Sequence, residues 1–158
     1  MPIVLARVDD RLIHGQVVIG WGQHLRATRI VLVDDAVAGD PEEQALYRLA
    51  APPGLAVEFA TTADAGARAA AWASEAPRTI LLTGDIATMA AVRRAAPAAV
   101  PRINLGGVHH RPGRRERLRY VFLSDEEAAT LAALAAEGAE VTAQDVPSAS
   151  PLPLSAFG

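Results

Sequence analysis

The chain has 158 residues, 51% of them hydrophobic, and a formal net charge of −3 at pH 7, which suits one domain with a buried core and argues against a general nucleic-acid role. It contains no cysteine, so disulfides, thiolate metal sites and cysteine nucleophiles are excluded. All 15 side chains counted as Lys+Arg are arginine, which excludes a P-loop, a Schiff-base pyridoxal enzyme and a protein kinase, each of which needs a lysine.

In chain order, Ile3–Val8 reads as an apolar strand. Residues 15–26 follow with Val17, Val18, Trp21 and Leu25 at helical spacing, weakened locally by Gly20 and Gly22. RIVLV (29–33) predicts a buried strand. Asp40, Pro41, Glu42 and Glu43 predict a capped helix that stops before Pro52-Pro53-Gly54. Residues 55–60 predict a strand, and Thr62 a cap for a helix to about Ala73. TILLT (79–83) predicts a strand, and Asp85 caps a helix to about Ala95. Residues 102–105 form a short strand ending at Gly106-Gly107, followed by a basic segment. Residues 120–123 predict a strand. Ser124 and Glu127 form a capping-box pattern for an alanine-rich helix ending at Gly138. Residues 140–146 are a last strand, and the tail, residues 147–158, is expected to be flexible or to lie along a groove.

Buried strands alternating with amphipathic helices predict an α/β fold: a single three-layer α/β/α domain over residues 1–158 with a mostly parallel central sheet. Ligands in such folds sit beyond the carboxyl ends of the strands. That gathers VDDRLIHG (8–15), DDAVAGD (34–40), TGD (83–85) and NLGGVHH (104–110) on one rim. No apolar run is long enough to span a bilayer and no secretion signal is visible, which predicts a cytoplasmic protein.

Within DDRLIHGQ (9–16), His14 sits at the first strand-to-helix turn. A helix N-terminus offers free N–H groups and a dipole that attract an anion such as a phosphoryl group. Arg11 supplies a fork of donors for phosphoryl oxygens, and Gly15 lets the backbone approach closely, with Gln16 beside it. Asp9 and Asp10 either orient the imidazole or Arg11, or cap the turn. Asp10 ranks ahead for a role because it adjoins Arg11 in sequence. The bland alternative for His14 is a local hydrogen bond at a helix start.

The stretch ARVDDRLIHGQVVIGW (6–21) resembles the active-site segment of the mannose/fructose/sorbose-type EIIB subunit of the bacterial phosphoenolpyruvate-dependent phosphotransferase system. RIVLVDD (29–35), LAAPPGLAVEF (49–59), INLGGVHH (103–110), SDEE (124–127) and EGAEVTAQDVPS (137–148) extend the resemblance along nearly the whole chain. The resemblance implies a phosphocarrier that takes a phosphoryl group from phospho-EIIA onto Nδ1 of His14 and passes it to a sugar held by the EIIC/EIID membrane permease. It implies Arg11 beside the phosphorylated ring, and no metal or organic cofactor. His109 falls where relatives often have a histidine. Family members occur as dimers or monomers, so a homodimer is one expected assembly, and the permease would recruit the subunit to the inner face of the membrane.

Two segments depart from the family pattern. TGDIATM (83–89) lacks the basic or amide residue that many relatives carry, although Thr83 has a hydroxyl to donate to the phosphoryl group. Residues 110–119 are unusually rich in arginine, as a solvated face or as a docking rim for an acidic partner. Three other readings remain. One is a regulatory phosphocarrier without a transport role. Another is a histidine-phosphatase-type phosphomonoesterase, against which stands Ile13, since that group has an arginine beside its histidine. The third is a non-catalytic α/β binding module, in which His14 is never phosphorylated. His24, Trp21 and Trp72 read as packing residues.

Overall fold

The computed structural model describes residues 2–158. Its strands are β1 (Ile3–Val8), β2 (Arg29–Val33), β3 (Ala56–Ala60), β4 (Thr79–Thr83), β5 (Arg102–Leu105), β6 (Arg115–Leu118), β7 (Val121–Leu123), β8 (Glu140–Ala143) and β9 (Leu152–Pro153). The helices are a π-helical segment, Gln16–Trp21, running into α1 (Gly22–His24), then α2 (Asp35–Ala38), α3 (Pro41–Ala50), α4 (Thr62–Ser74), α5 (Ile86–Ala95) and α6 (Asp125–Ala136).

Seven strands form one sheet in the order β3-β2-β4-β1-β5-β8-β9, parallel throughout except for the antiparallel β8–β9 pair. The mostly parallel α/β fold read from the sequence is the one observed. β2 and β4 are buried at every position, because helices cover both faces there and no side of the strand meets water. One core contains Val31, Val33, Trp72, Leu81, Met89 and Leu131, under α4, α5 and α6. The other contains Val17, Trp21, Ile30, Leu32, Val37 and Leu82, under the first helix and α2. Right-handed crossovers account for the division. The chain leaves β1 and β2 toward one side of the sheet and leaves β3, β4 and β5 toward the other. β1, flanked by β4 and β5, therefore ends at a switch point between connections of opposite direction, the usual place for a ligand.

The caps match local chemistry. Asp40, Asp85 and Ser124 each accept an N–H of their helix's first turn, with Pro41 at the start of α3 and a complete capping box at Ser124 and Glu127. Four local expectations change. Thr61, not Thr62, caps α4, and the Thr62 N–H bonds Asp35 instead. The short α2 was not foreseen, and Asp34 caps it. The basic segment contains a strand, since β6 and β7 make an antiparallel hairpin hung on Val108. The tail is docked: β9 pairs with β8, and Phe157 is buried.

Candidate functional site

Beyond β1 the chain turns at once. The Leu12 N–H bonds the Asp9 carbonyl at 3.0 Å, and Leu12 takes φ +61. A left-handed leucine costs about 1–2 kcal/mol. Such strain persists only where the surroundings impose it and is concentrated at functional loops. Beyond it Ile13 is buried in the core, while the His14 side chain stays 20% exposed. The following turns are wound as a π-helix, with the Gly22 N–H reaching back to the Val17 carbonyl. Single π-helical turns likewise recur at functional sites.

Asp9 is the hub of this corner. It is fully buried. Its Oδ1 accepts from the Arg11 backbone N–H at 3.1 Å and from Arg11 Nε at 3.0 Å. Its Oδ2 accepts from Arg11 Nη2 at 2.9 Å and from Arg7 Nη2 at 3.3 Å. His14 Nε2 stands 3.4 Å from the same Oδ2, within ion-pair reach but outside hydrogen-bond geometry. Burial opposes the Asp9 charge. The approach of His14, the Arg11 hydrogen bonds and the charges of Arg7 and Arg11 outweigh it and hold the carboxyl well below the usual carboxylate range. The hydrogen bonds to Asp9 in turn raise Arg11.

The other ring nitrogen of His14 has a different neighbour. The Gln16 N–H donates to Nδ1 at 3.3 Å. An imidazole nitrogen that accepts a hydrogen bond carries a lone pair, so the ring proton belongs on Nε2, facing Asp9. The corner thus leaves the lone pair on Nδ1, at the start of a helix and on the same acid as an arginine. Gly15 has ordinary helical dihedrals, and a Cβ there would meet nothing within 4 Å. Neither conformation nor internal packing requires that glycine, and it leaves open surface beside His14.

Gly106 and Gly107 make room for the charges from the other side. A Cβ on Gly106 would collide with the Arg7 guanidinium and come 2.6 Å from Asp9 Oδ2. A Cβ on Gly107 would lie 2.8 Å from His109 Cε1, 3.2 Å from Arg11 Nε and 3.3 Å from Asp9 Oδ1. The glycine pair after β5 is therefore shaped around the acid and its arginines.

Asp10 is placed elsewhere than expected. Its carboxylate takes the His109 N–H at 2.7 Å and faces His109 Nδ1 at 2.6 Å. It ties the β1 loop to the β5 loop, while Asp9 has the partnership with Arg11 and His14 that sequence adjacency assigned to Asp10. The reason is direction: Asp9 turns inward beside Arg7, and Asp10 lies across the rim. Thr83 also departs from expectation. It is buried, and its hydroxyl donates to the Asp85 carbonyl at 3.1 Å, so its one proton holds the β4 loop. His109 is half exposed and flanks Gly107 on the same rim as Arg11. His110 packs edge-on to Phe122, and His24 edge-on to Trp21. Trp72 is core, as expected. Trp21 is buried too, but it lies under the Arg7 guanidinium, 4.9 Å from ring centroid to Cζ.

Arg7 and Asn104 were missed by the sequence reading. A lone cation in an otherwise apolar strand, two residues before an acid and so on the same side, was the available signal. The arginine-rich segment resolves into fastenings. Arg114 makes a two-bond clamp on Glu127 at 2.9 and 2.7 Å, and Arg115 reaches Asp125 at 3.1 Å. Arg111 and Arg119 make no ion pair among the described residues. Among the same residues, no group of three or more His, Cys, Asp or Glu is placed to hold a metal ion.

The sequence matches the family described as the PTS system sorbose subfamily IIB component over residues 3–157. The chain belongs to that family. It is 35% identical over 130 residues to the sorbose-specific EIIB component of Klebsiella pneumoniae, covering 80% of this chain and 77% of the relative. It is 34% identical over 154 residues to the N-acetylgalactosamine-specific phosphotransferase enzyme IIB component 2 of Escherichia coli, covering 93% of both. The crystal structure of the IIBSor domain of the Klebsiella pneumoniae sorbose permease superposes with a TM-score of 0.89 at 29% identity, covering 99% of this chain and 96% of that one. As an EIIB component the protein is a phosphotransferase, of a family that works with EIIA and with membrane EIIC and EIID permease components. The phosphomonoesterase reading is thereby set aside. No helix of the described residues is long and apolar enough to cross a membrane.

Proposed function

We propose that this EIIB subunit carries its phosphoryl group on Nδ1 of His14. The observation that carries the reading is the division of labour at the ring: Nδ1 accepts from the Gln16 N–H while Nε2 faces the buried Asp9 carboxylate. In the first step the Nδ1 lone pair attacks the phosphorus of phospho-EIIA. The donor's N–P bond breaks, and its electron pair returns to the donor histidine. In the second, a hydroxyl oxygen of a sugar held by EIIC/EIID attacks the same phosphorus. The His14 N–P bond breaks, and the hydroxyl proton passes to solvent or a permease base. Such transfers depend on in-line positioning and on stabilisation of charge. Arg11, with a side chain 37% exposed, supplies that charge, together with the helix start at Gly15 and Gln16. His109, oriented by Asp10, lines the rim on which the partner docks.

The subunit works at the inner face of the membrane, on its permease. Solved IIB components named for sorbose and for N-acetylgalactosamine share this fold, which supports assigning sugar choice to the membrane components. The test is reconstitution with phosphoenolpyruvate, enzyme I, HPr and a cognate EIIA. Wild type should acquire acid-labile, base-stable phosphate and His14→Ala none. Equal labelling of His14→Ala, or no labelling of wild type, overturns the reading.

A further inference from the structure

Asp9 holds two arginines of very different standing. Arg11 is the outer one, and its only hydrogen-bonded side-chain partner among the described residues is Asp9. Arg7 is fully buried, and all four of its Nη hydrogens have acceptors. Nη1 donates to Asn104 Oδ1 on β5 and to the Gln144 carbonyl at 2.8 Å. Nη2 donates to Asp9 Oδ2 at 3.3 Å and to the Asp145 carbonyl at 3.0 Å. Trp21 backs the guanidinium, and Gly106 leaves the space it fills. Arg7 is anchored by three separate parts of the fold and has no freedom to reach outward.

A dianionic phosphoryl group on His14 competes with Asp9 for Arg11. A buried carboxylate stripped of its only counter-ion is strongly unfavourable. With Arg7 in place, Asp9 keeps a counter-ion whichever way Arg11 points. We infer that Arg7 is a positioning residue for phosphoryl transfer: it is the permanent counter-ion of Asp9, and it allows Arg11 to be exchanged from Asp9 to the phosphoryl group. The inference rests on the reading that His14 is the carrier. Arg7 never touches the phosphoryl group. It acts by keeping Asp9 charged and in place behind the ring after Arg11 has moved.

The test uses the full chain as wild type, Arg7→Lys and Arg7→Gln, with two readouts. One is the single-turnover rate of phosphoryl transfer from phospho-EIIA, per folded molecule. The other is the 15N–1H resonance of Arg11 Nε, before and after phosphorylation. In wild type that resonance should shift on phosphorylation, as Arg11 leaves Asp9. Arg7→Gln should slow transfer by about 10-fold to 100-fold and leave the resonance where it was. Arg7→Lys, which keeps the charge, should recover part of the rate and part of the shift. If Arg7→Gln does not fold, Asn104→Leu removes one anchor of Arg7 without touching Asp9, and should slow transfer to a smaller degree. A wild-type Arg11 resonance unmoved by phosphorylation overturns the inference. So does wild-type transfer in Arg7→Gln, or in Asn104→Leu where it stands in. Absence of label on wild-type His14 overturns both the inference and the reading beneath it.

Discussion

Two clusters in this molecule pair arginines with carboxylates, and they do different work. At the end of β1, Asp9 is fully buried and holds Arg7 and Arg11. At the β6–β7 hairpin, Arg114, Arg115 and Arg117 meet Glu127 and Asp125 at the start of α6. Asp125 is 90% exposed, and Glu127 has a second task in its own capping box. Water screens the pairs made to Asp125, which add little, while the two-bond Arg114–Glu127 clamp is mostly sheltered; together they fasten a hairpin to a helix. Asp9 and Arg7 have no such screening, and only Arg11 reaches solvent. Every charge there must be matched, and removing one changes how the rest behave. The same two residue types make a fastening at the surface and a tuned site in the interior.

Asp9→Asn should break the contrast most severely. It leaves Arg7 buried without an anion, a loss of about 3–5 kcal/mol, and frees the His14 ring, so phosphoryl transfer should fall with stability. Thermal melting and the transfer assay check both. The pH dependence has a definite sign. The Asp9 carboxyl is held below its unfolded value, so its stabilisation is complete above about pH 4 and is lost as the pH falls below that. The gap in melting temperature between wild type and Asp9→Asn should therefore narrow in acid. A gap that stays constant down to pH 2.5 would mean that Asp9 is not the charged partner of Arg7.

Glu127→Gln comes next. It loses the charge held by Arg114 but keeps an amide for the capping box, so denaturant melts should show a loss of about 1–2 kcal/mol. Transfer per folded molecule should be unchanged. The smallest effect belongs to Arg115→Ala, whose pair with Asp125 lies in open water. Its stability should stay within about 0.5 kcal/mol of wild type. If Arg115→Ala slowed transfer from phospho-EIIA, and did so less at high salt, the hairpin would be a docking rim as well as a fastening.

Much of this was readable beforehand, for reasons that separate the two clusters. The capping box of α6, the caps at Asp40 and Asp85 and the buried strand RIVLV are local, and short-range chemistry decides them. That His14 and Arg11 lie on one corner was readable because DDRLIHGQ puts an imidazole, a cation and a helix start within eight residues. The ranking of Asp10 over Asp9 was wrong in geometry, since neighbours in sequence need not share a direction in space. Thr83 was misread for a related cause: its hydroxyl found a carbonyl two residues on.

The sequence by itself therefore determined the α/β class, the order of the main elements and the rim on which His14 lies. Periodicity, caps and turns act over a few residues, and the chain obeys them nearly everywhere. Only the tertiary structure decided which acid lies beside the histidine. Arg7 meets Asn104 and the carbonyls of Gln144 and Asp145 across 97 to 138 positions of chain. Those contacts exist because β1 lies beside β5, and β5 beside β8. Burial there turns a nearby pair of charges into an obligatory one, and no local pattern in the chain records that burial.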